Sequence, residues 1–445
     1  MEIRDKIIKG FSRLSKEEKV NWISRSFFPH SEEAKKVFEE FNCLKPDTQK
    51  VFDGFSENTL ANFILPYGAA PNFVINDTTY CVPMVIEESS VVAAASSAAK
   101  FWMKKGGFHY EVEDVEKLGQ IHFFWKGNKD RLKELFQSEI QEVLYAEVAP
   151  TVSNMVKRGG GIREMKLLDK TAELDHYYQL LISFDTCDSM GANFINTVLE
   201  ECMERMKVYF SEKEELKTEL QPEFLMAILS NYTPNCKVKA WTKCKISDLD
   251  QASLTLSGIE FADRFKKAVD IAKIDKYRAV THNKGIFNGI DAVVIAAGND
   301  FRAVEACGHA YASKNGHYCS LSDCRIEGDS FVFSLEVPLA LGTVGGLTCI
   351  HPLAKISLGM LGNPSAKELM GIAACTGLAQ NFAAIRSLVT TGIQYGHMKM
   401  HLDNILNHLN ATESESARAS RHFRDKVISF NAVRNFIDEI RCYDK

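Results

Sequence analysis

One stretch constrains this chain more than any other: Thr281 to Asp300, THNKGIFNGIDAVVIAAGND. From Ile290 to Ala297 it is nearly continuous apolar sequence rich in Val and Ile. That reads as a strand buried on both faces, as in the interior of a sheet covered by helices. Gly298 and Asn299 end the run. Asp300 then stands where the helical pattern of FRAVEACGHAYA begins, so its carboxylate can cap that helix or face a cleft. Ahead of the apolar run, THNKGIFNG reads as a Gly-punctuated segment carrying Lys284 and Asn288. On these residues alone the plain reading is a turn with a solvated lysine and a capping aspartate.

A chain of 445 residues can bury a large core and divide into two or three domains. Its net charge of -5 gives no support for a nucleic-acid or anionic-membrane partner. The N-terminus, MEIRDKIIKGF, lacks the apolar core of a signal peptide, and no run of 18 apolar residues predicts a membrane span. Twelve cysteines are scattered with no C-x-x-C. Reduced, mostly buried thiols in a cytoplasm fit that usage better than a disulfide framework does.

Local signals are clear in places. Ser15 and Glu18 form a capping box for an early helix. SENTLANFILPYGAAPNFVINDTTYCVPMVI, punctuated by Gly, Pro and Asn, predicts strands and tight turns. Glu87, Glu88 and Ser90 precede the Ala-rich VVAAASSAAK and suit a helix N-terminus. A charged helix is expected from about Arg131 to Glu147. YYQLLISFDTCDSMGANFINTVLEECMERM reads as a strand, a short turn and a helix, an arrangement that can set backbone N–H groups against phosphate. A single glycine there is weak evidence, and G-x-G-x-x-G is absent. The segment from Leu256 to Val280 predicts a helix with Phe261, Phe265, Val269 and Ala272 on one face. The C-terminal part is helical but interrupted by Gly371, Gly377, Gly392 and Gly396, which can mark hinges. His397 and His401 share a helix face, yet Met398 is not the glutamate of H-E-x-x-H and no ligand set is evident, so no metal is expected.

Several of these segments together resemble the class II 3-hydroxy-3-methylglutaryl-coenzyme A (HMG-CoA) reductases. THNKGIFNGID with AAGNDFRAVEA is similar to that family's signature. Glu57, Asn58, Phe63, Leu65, Pro66 and Gly68 match its E-N-x-x-G-x-F-x-L-P-x-G segment, with Ala61 in place of the glycine. EESSVVAAAS resembles E-E-P-S-x-V-A-A-A-S, with Ser89 for the proline. DSMGAN resembles D-A-M-G-A-N, with Ser189 for the alanine, and GIQYGHM resembles the segment bearing the family's catalytic histidine. The segments occur in the family's order, and the resemblance extends over essentially the whole chain.

The resemblance implies an α/β (α+β) fold. A large HMG-CoA-binding domain, residues 1–111 and 229–379, would hold an inserted ferredoxin-like dinucleotide domain, 112–228, followed by a mobile helical C-terminal domain, 380–445. It implies reductive deacylation of HMG-CoA to mevalonate and coenzyme A with two hydrides from NADPH or NADH. Glu88, Lys284, Asp300 and His397 would be catalytic, with Asp300 bridging Lys284 and Glu88. Glu57, Asn58, Ser90, Arg278 and Asn288 would meet substrate. Asp188, Met190, Gly191, Ala192 and Asn193 would meet the dinucleotide. Some NADH-using relatives carry an aspartate just before the M-V-K-R-G-G-G segment. Thr151 to Asn154 offer no carboxylate here, while Lys157 and Arg158 lie close, which favours the 2′-phosphate of NADPH. The family works as homodimers or assemblies of dimers with shared active sites. Two rival readings are oxidation of mevalonate with NAD by the same enzyme and a non-catalytic homologue that only binds CoA or a nucleotide.

Overall fold

The computed structural model describes residues 6–216, 221–390, 402–403, 405–423, 426 and 428–443. Three helices open the chain, α1 (Lys16–Phe27), α2 (Ser31–Glu40) and α3 (Pro46–Asp53). Ser15 accepts from the Glu18 amide and Glu18 returns the bond to the Ser15 amide, so the expected capping box starts α1. A hairpin follows, β1 (Tyr67–Ile75) and β2 (Thr78–Val85), closed by Asn76 and Asp77. Both turn residues have positive φ, 44° and 64°, the left-handed pair that a two-residue hairpin turn requires and that Asn and Asp tolerate. Then come α4 (Val91–Trp102) and β3 (His109–Val112).

Next is a β-α-β-β-α-β unit: β4 (Lys117–Phe124), α5 (Lys129–Leu135) running through a π turn into α6 (Gln141–Val156), β5 (Gly161–Asp169), β6 (Tyr177–Asp185), α7 (Ala192–Glu212) and β7 (Glu223–Ser230). Its antiparallel sheet has the order β5-β6-β4-β7, the split-βαβ arrangement of ferredoxin-like folds. Period-two alternation along β4 buries Ile121 and Phe123 against residues of α6 and α7 such as Leu144, Val148, Val198 and Leu199, forming a hydrophobic core of its own.

The chain then returns through β8 (Lys237–Lys245), α8 (Gly258–Ile274), α9 (Lys276–Ala296), α10 (Phe301–Tyr311), β9 (Ser322–Glu327), β10 (Ser330–Pro338), α11 (Leu347–Ile350), α12 (Pro352–Met360) and α13 (Ala366–Val389). β3-β8-β10-β9 make a second antiparallel sheet. α8 buries the expected stripe, Phe261, Phe265, Val269 and Ala272, each fully, and burial of each phenylalanine stabilises by roughly 1.5–3 kcal/mol. Two last helices, α14 (Glu413–His422) and α15 (Phe430–Tyr443), share a third, small core that includes Leu406, Ala419, Val433 and Ile437.

The mixed helix-and-sheet class is as expected, but the organising stretch is not a strand. Ile290 to Ala296 form the last two turns of α9, and THNKGIFNG lies inside the same helix. The physical reason is that α9 is buried around most of its circumference. It packs against α8, α13, α10, α4 and β2 at once, so its apolar positions run together as a buried strand's would. The helical period shows only over a longer window, in Ala279, His282, Ile286, Phe287, Ile290, Val293 and Val294.

α13 is likewise a core helix. By length and composition it could cross a membrane, yet 67% of its most apolar window is buried inside the protein. Gly371 and Gly377 are packing positions in it rather than hinges. A Cβ on Gly377 would come within 2.7 Å of Ile290 on α9, and one on Gly289 of α9 within 2.7 Å of the Thr376 carbonyl. The two helices cross where neither can carry a larger side chain. Residue 380 falls inside α13, and Phe382 and Ile385 belong to the large core.

Candidate active site

Lys284 sits in the first half of α9, and its ammonium donates to Glu88 Oε2 at 2.8 Å. Glu88 lies between β2 and α4, so α9 and the α4 N-terminus supply one side chain each. Asn288, one turn further along α9, donates to the same Oε2 at 3.3 Å, and Ser90 Oγ donates to Oε1 at 3.3 Å. Four of the expected residues therefore meet around one carboxylate. Arg278 lies six residues before Lys284 on α9. Its half-buried guanidinium makes no hydrogen bond or ion pair among the described residues, and burial lowers its pKa.

The rotation of α9 is fixed by buried polar contacts that the sequence did not advertise. His282 Nε2 and Ser322 Oγ are 2.6 Å apart, and Ser322 Oγ donates to Asn381 Oδ1 at 2.9 Å. Asn283 donates to the Cys319 carbonyl at 2.9 Å and accepts from Leu321 N at 3.0 Å. These two residues precede Lys284 directly. Burial holds the His282 imidazole down to about 3, so it stays neutral at physiological pH.

Asp300 is the N-cap of α10, as its position suggested, accepting from the amides of Arg302 and Ala303 at 3.0 and 3.2 Å. Among the described residues no hydrogen bond or ion pair joins it to Lys284. Its carboxylate is taken up by the Arg302 guanidinium, at 3.0 and 2.9 Å. Burial pushes the Asp300 carboxyl up, but Arg302 and the helix amides outweigh it and hold the group below its ordinary range. Helix geometry explains the separation. The twelve steps from Lys284 to Ala296 advance about 18 Å along the axis, so Lys284 projects near the middle of α9 while Asp300 follows its C-terminus.

Asp300 instead borders a groove of about 710 Å³ between the two large units, lined by residues 189–194, 298–302, 342 and 344–348. Met190, Gly191, Ala192 and Asn193 are on its wall. Gly191 caps α7 with φ 87° and no side chain fills the cap, which leaves the helix's first amides and its positive end toward the groove. Asn299 pins the opposite wall by a reciprocal pair with Gly342, at 2.9 and 2.8 Å.

Other expected residues lie elsewhere. Asp188 is not on the groove wall. Its carboxylate accepts from Ala366 N at 2.7 Å, at the start of α13, and its carbonyl from Thr343 N at 2.8 Å. Lys157 and Arg158 end α6 and are exposed. They do not line the groove, but the Arg158 carbonyl accepts from Cys187 Sγ at 3.3 Å, which sets their turn beside the groove's edge. Glu57 and Asn58 are exposed in the irregular segment before β1 and make no side-chain bond to the Lys284–Glu88 pair among the described residues. His397 and His401 lie outside the described residues. Among the described residues no three His, Cys, Asp or Glu side chains converge as a metal site.

A ferredoxin-like unit whose Gly-opened helix faces a groove, in a chain that also pairs a lysine with a carboxylate, fits a nicotinamide-dependent oxidoreductase. The family model for hydroxymethylglutaryl-coenzyme A reductase matches residues 16–402, and the chain belongs to that family. It is 35% identical over 446 residues to the 3-hydroxy-3-methylglutaryl-coenzyme A reductase of Archaeoglobus fulgidus, covering 98% of this chain and 94% of that one. To a probable reductase of the same name from Borreliella burgdorferi it is 34% identical, covering 86% of each chain. Among solved structures it is similar to the class II enzyme of Streptococcus pneumoniae bound to NADPH in open conformations, with a TM-score of 0.71 and 36% identity over 96% of this chain and 100% of that one.

Proposed function

We propose that this chain reduces HMG-CoA to mevalonate and coenzyme A with NADPH, at a site assembled from two copies. The observation that carries the reading is the Lys284–Glu88 contact of 2.8 Å, with Asp300 on the groove just past the C-terminus of the same helix. Family membership supplies the substrate class. The large unit would hold HMG-CoA, residues 112–228 the dinucleotide, and the chain after Val389 would close over the site. Arg278 is suited to the substrate's free carboxylate, because a half-buried guanidinium without a partner gains most from an anion.

When bound, the nicotinamide supplies hydride to the thioester carbonyl and then to the aldehyde. Each addition makes an alkoxide, and Lys284 is the cation placed to stabilise it once water is excluded. Glu88, hydrogen-bonded to Lys284, Asn288 and Ser90, is placed to pass a proton to that oxygen. By resemblance His397 protonates the departing thiolate. Asp300 of a second copy would complete the network that its own chain's Lys284 cannot reach, which supports an assembly of at least two copies with shared sites. In the groove, the α7 N-terminus suits the pyrophosphate, and Lys157 and Arg158 suit a 2′-phosphate. NADPH bound to the pneumococcal relative supports that choice.

The test is spectrophotometric: HMG-CoA reduction with NADPH and with NADH, and mevalonate oxidation with NAD and NADP. The expected outcome is a higher kcat/KM for NADPH-dependent reduction than for any other combination. A preference for NAD-dependent mevalonate oxidation would establish the catabolic direction instead.

A further inference from the structure

Lys117 opens β4 and is only 4% exposed. Its ammonium donates to Thr186 Oγ1 at 2.5 Å and to the Ser189 carbonyl at 2.9 Å. Thr186 Oγ1 donates to the same carbonyl at 2.6 Å. Thr186 and Ser189 bracket the turn that leads from β6 to Gly191 and α7. The turn is tight: a Cβ on Gly191 would lie 2.5 Å from Thr186. Lys117, Met190 and Ala192 line a small cavity of about 30 Å³ with Ala303 and Cys307 of α10, and Lys117 does not line the groove, so the ammonium meets the turn from outside it.

Among the described residues no carboxylate forms an ion pair with Lys117. Asp185 and Asp188 act on it only from a distance, and burial lowers its pKa. An unpaired buried ammonium destabilises the fold, and an apolar residue at this strand position would avoid that cost. The compensating role has to be local, and among the described residues the groups the ammonium grips are those of the turn.

We propose that Lys117 is a positioning residue for the dinucleotide turn. It holds Thr186–Gly191 so that the first turn of α7 faces the groove, and its charge behind the turn favours a pyrophosphate in front of it. The proposal rests on reading the groove as the dinucleotide site.

The experiment uses the full-length protein and titrates NADPH by its fluorescence, with steady-state kinetics and thermal melts alongside. Lys117→Met keeps the length and removes the charge and the donors. It should weaken NADPH binding by about tenfold or more, leave the KM for HMG-CoA within about twofold, and recover much of kcat at saturating NADPH. Its Tm should be unchanged or raised, because a buried charge has been replaced by an apolar side chain. A packing role would give the opposite pattern, a lower Tm with both substrates affected alike, and would overturn the proposal. So would unchanged NADPH affinity. If Lys117→Met does not fold, Lys117→Gln is judged by the same criteria. A wild-type protein that binds neither NADPH nor NADH would instead remove the dinucleotide reading of the groove.

Discussion

Lys284 keeps 58% of its side chain in solvent while holding Glu88 at 2.8 Å, so its contribution to stability is small and its contribution to chemistry is separable from it. Lys284→Ala should lower kcat by about 10²–10³ or more, with folding stability changed by less than about 0.5 kcal/mol. A folded variant that still turns over HMG-CoA near the wild-type rate would exclude the proposed oxyanion role. Seven residues on, Asp291 shares the Lys284–Asn288 face of α9, and one of its carboxylate oxygens is buried with no hydrogen-bond donor among the described residues. Burial, the neighbouring Glu305 carboxylate and, more weakly, Glu87 push its pKa up to about 8. The sign follows from linkage. Between about pH 4, where an unfolded aspartate loses its proton, and pH 8, the folded chain still holds it, so stability falls as pH rises through that window. Asp291→Asn removes the titration, and its Tm advantage over wild type should be smallest near pH 4 and grow steadily to pH 8. Parallel Tm curves across that range would show that the proton is not there.

At the scale of elements, α9 decides what sequence reading could and could not recover. Elements whose signals are local were legible: the Ser15–Glu18 box, the strands and tight turns of the stretch before α4, the one-sided stripe of α8 and the Asp300 cap. α9 was not, because neighbours on most sides erase the polar face that reveals a helix over a short window. The Lys284, Glu88, Ser90 and Asn288 grouping was legible through motif resemblance. The buried His282–Ser322–Asn381 contacts that orient it were not, since they join residues 40 and 59 positions apart. Asp188 shows the converse. A motif assigned it to the dinucleotide, while its carboxylate caps α13, a contact across 178 residues that no local pattern encodes. Two glycines of α9 make a test of the packing argument. Gly285 has nothing within 4 Å of where a Cβ would be, so Gly285→Ala should stabilise by roughly 0.5–1 kcal/mol through helix propensity alone. Gly289→Ala gains the same propensity but forces a methyl to 2.7 Å from the Thr376 carbonyl, and overpacking costs about 1–3 kcal/mol. The net should be a loss, read by urea denaturation. Equal stabilisation by both substitutions would mean that α9 and α13 are not in close contact.

At the scale of the whole molecule, the length of α9 bears on the proposed assembly. One chain holds Lys284 and Glu88 near the middle of the helix and presents Asp300 beside the groove past its C-terminus, about 18 Å further along. If each catalytic site takes its lysine from one copy and its aspartate from another, two crippled chains can repair each other. Lys284→Ala and Asp300→Ala should each be nearly inactive as homo-oligomers. In a mixed dimer, one site receives both substitutions and the other receives neither. Random reassortment of equal amounts makes half of the dimers mixed, so the mixture should recover about a quarter of wild-type activity. Recovery should require exchange of subunits, by co-expression or by dissociation and refolding together, and should be absent when preformed oligomers are merely combined. If lysine and aspartate served the same site from the same chain, no mixture would exceed its parents, and the shared-site arrangement would be wrong.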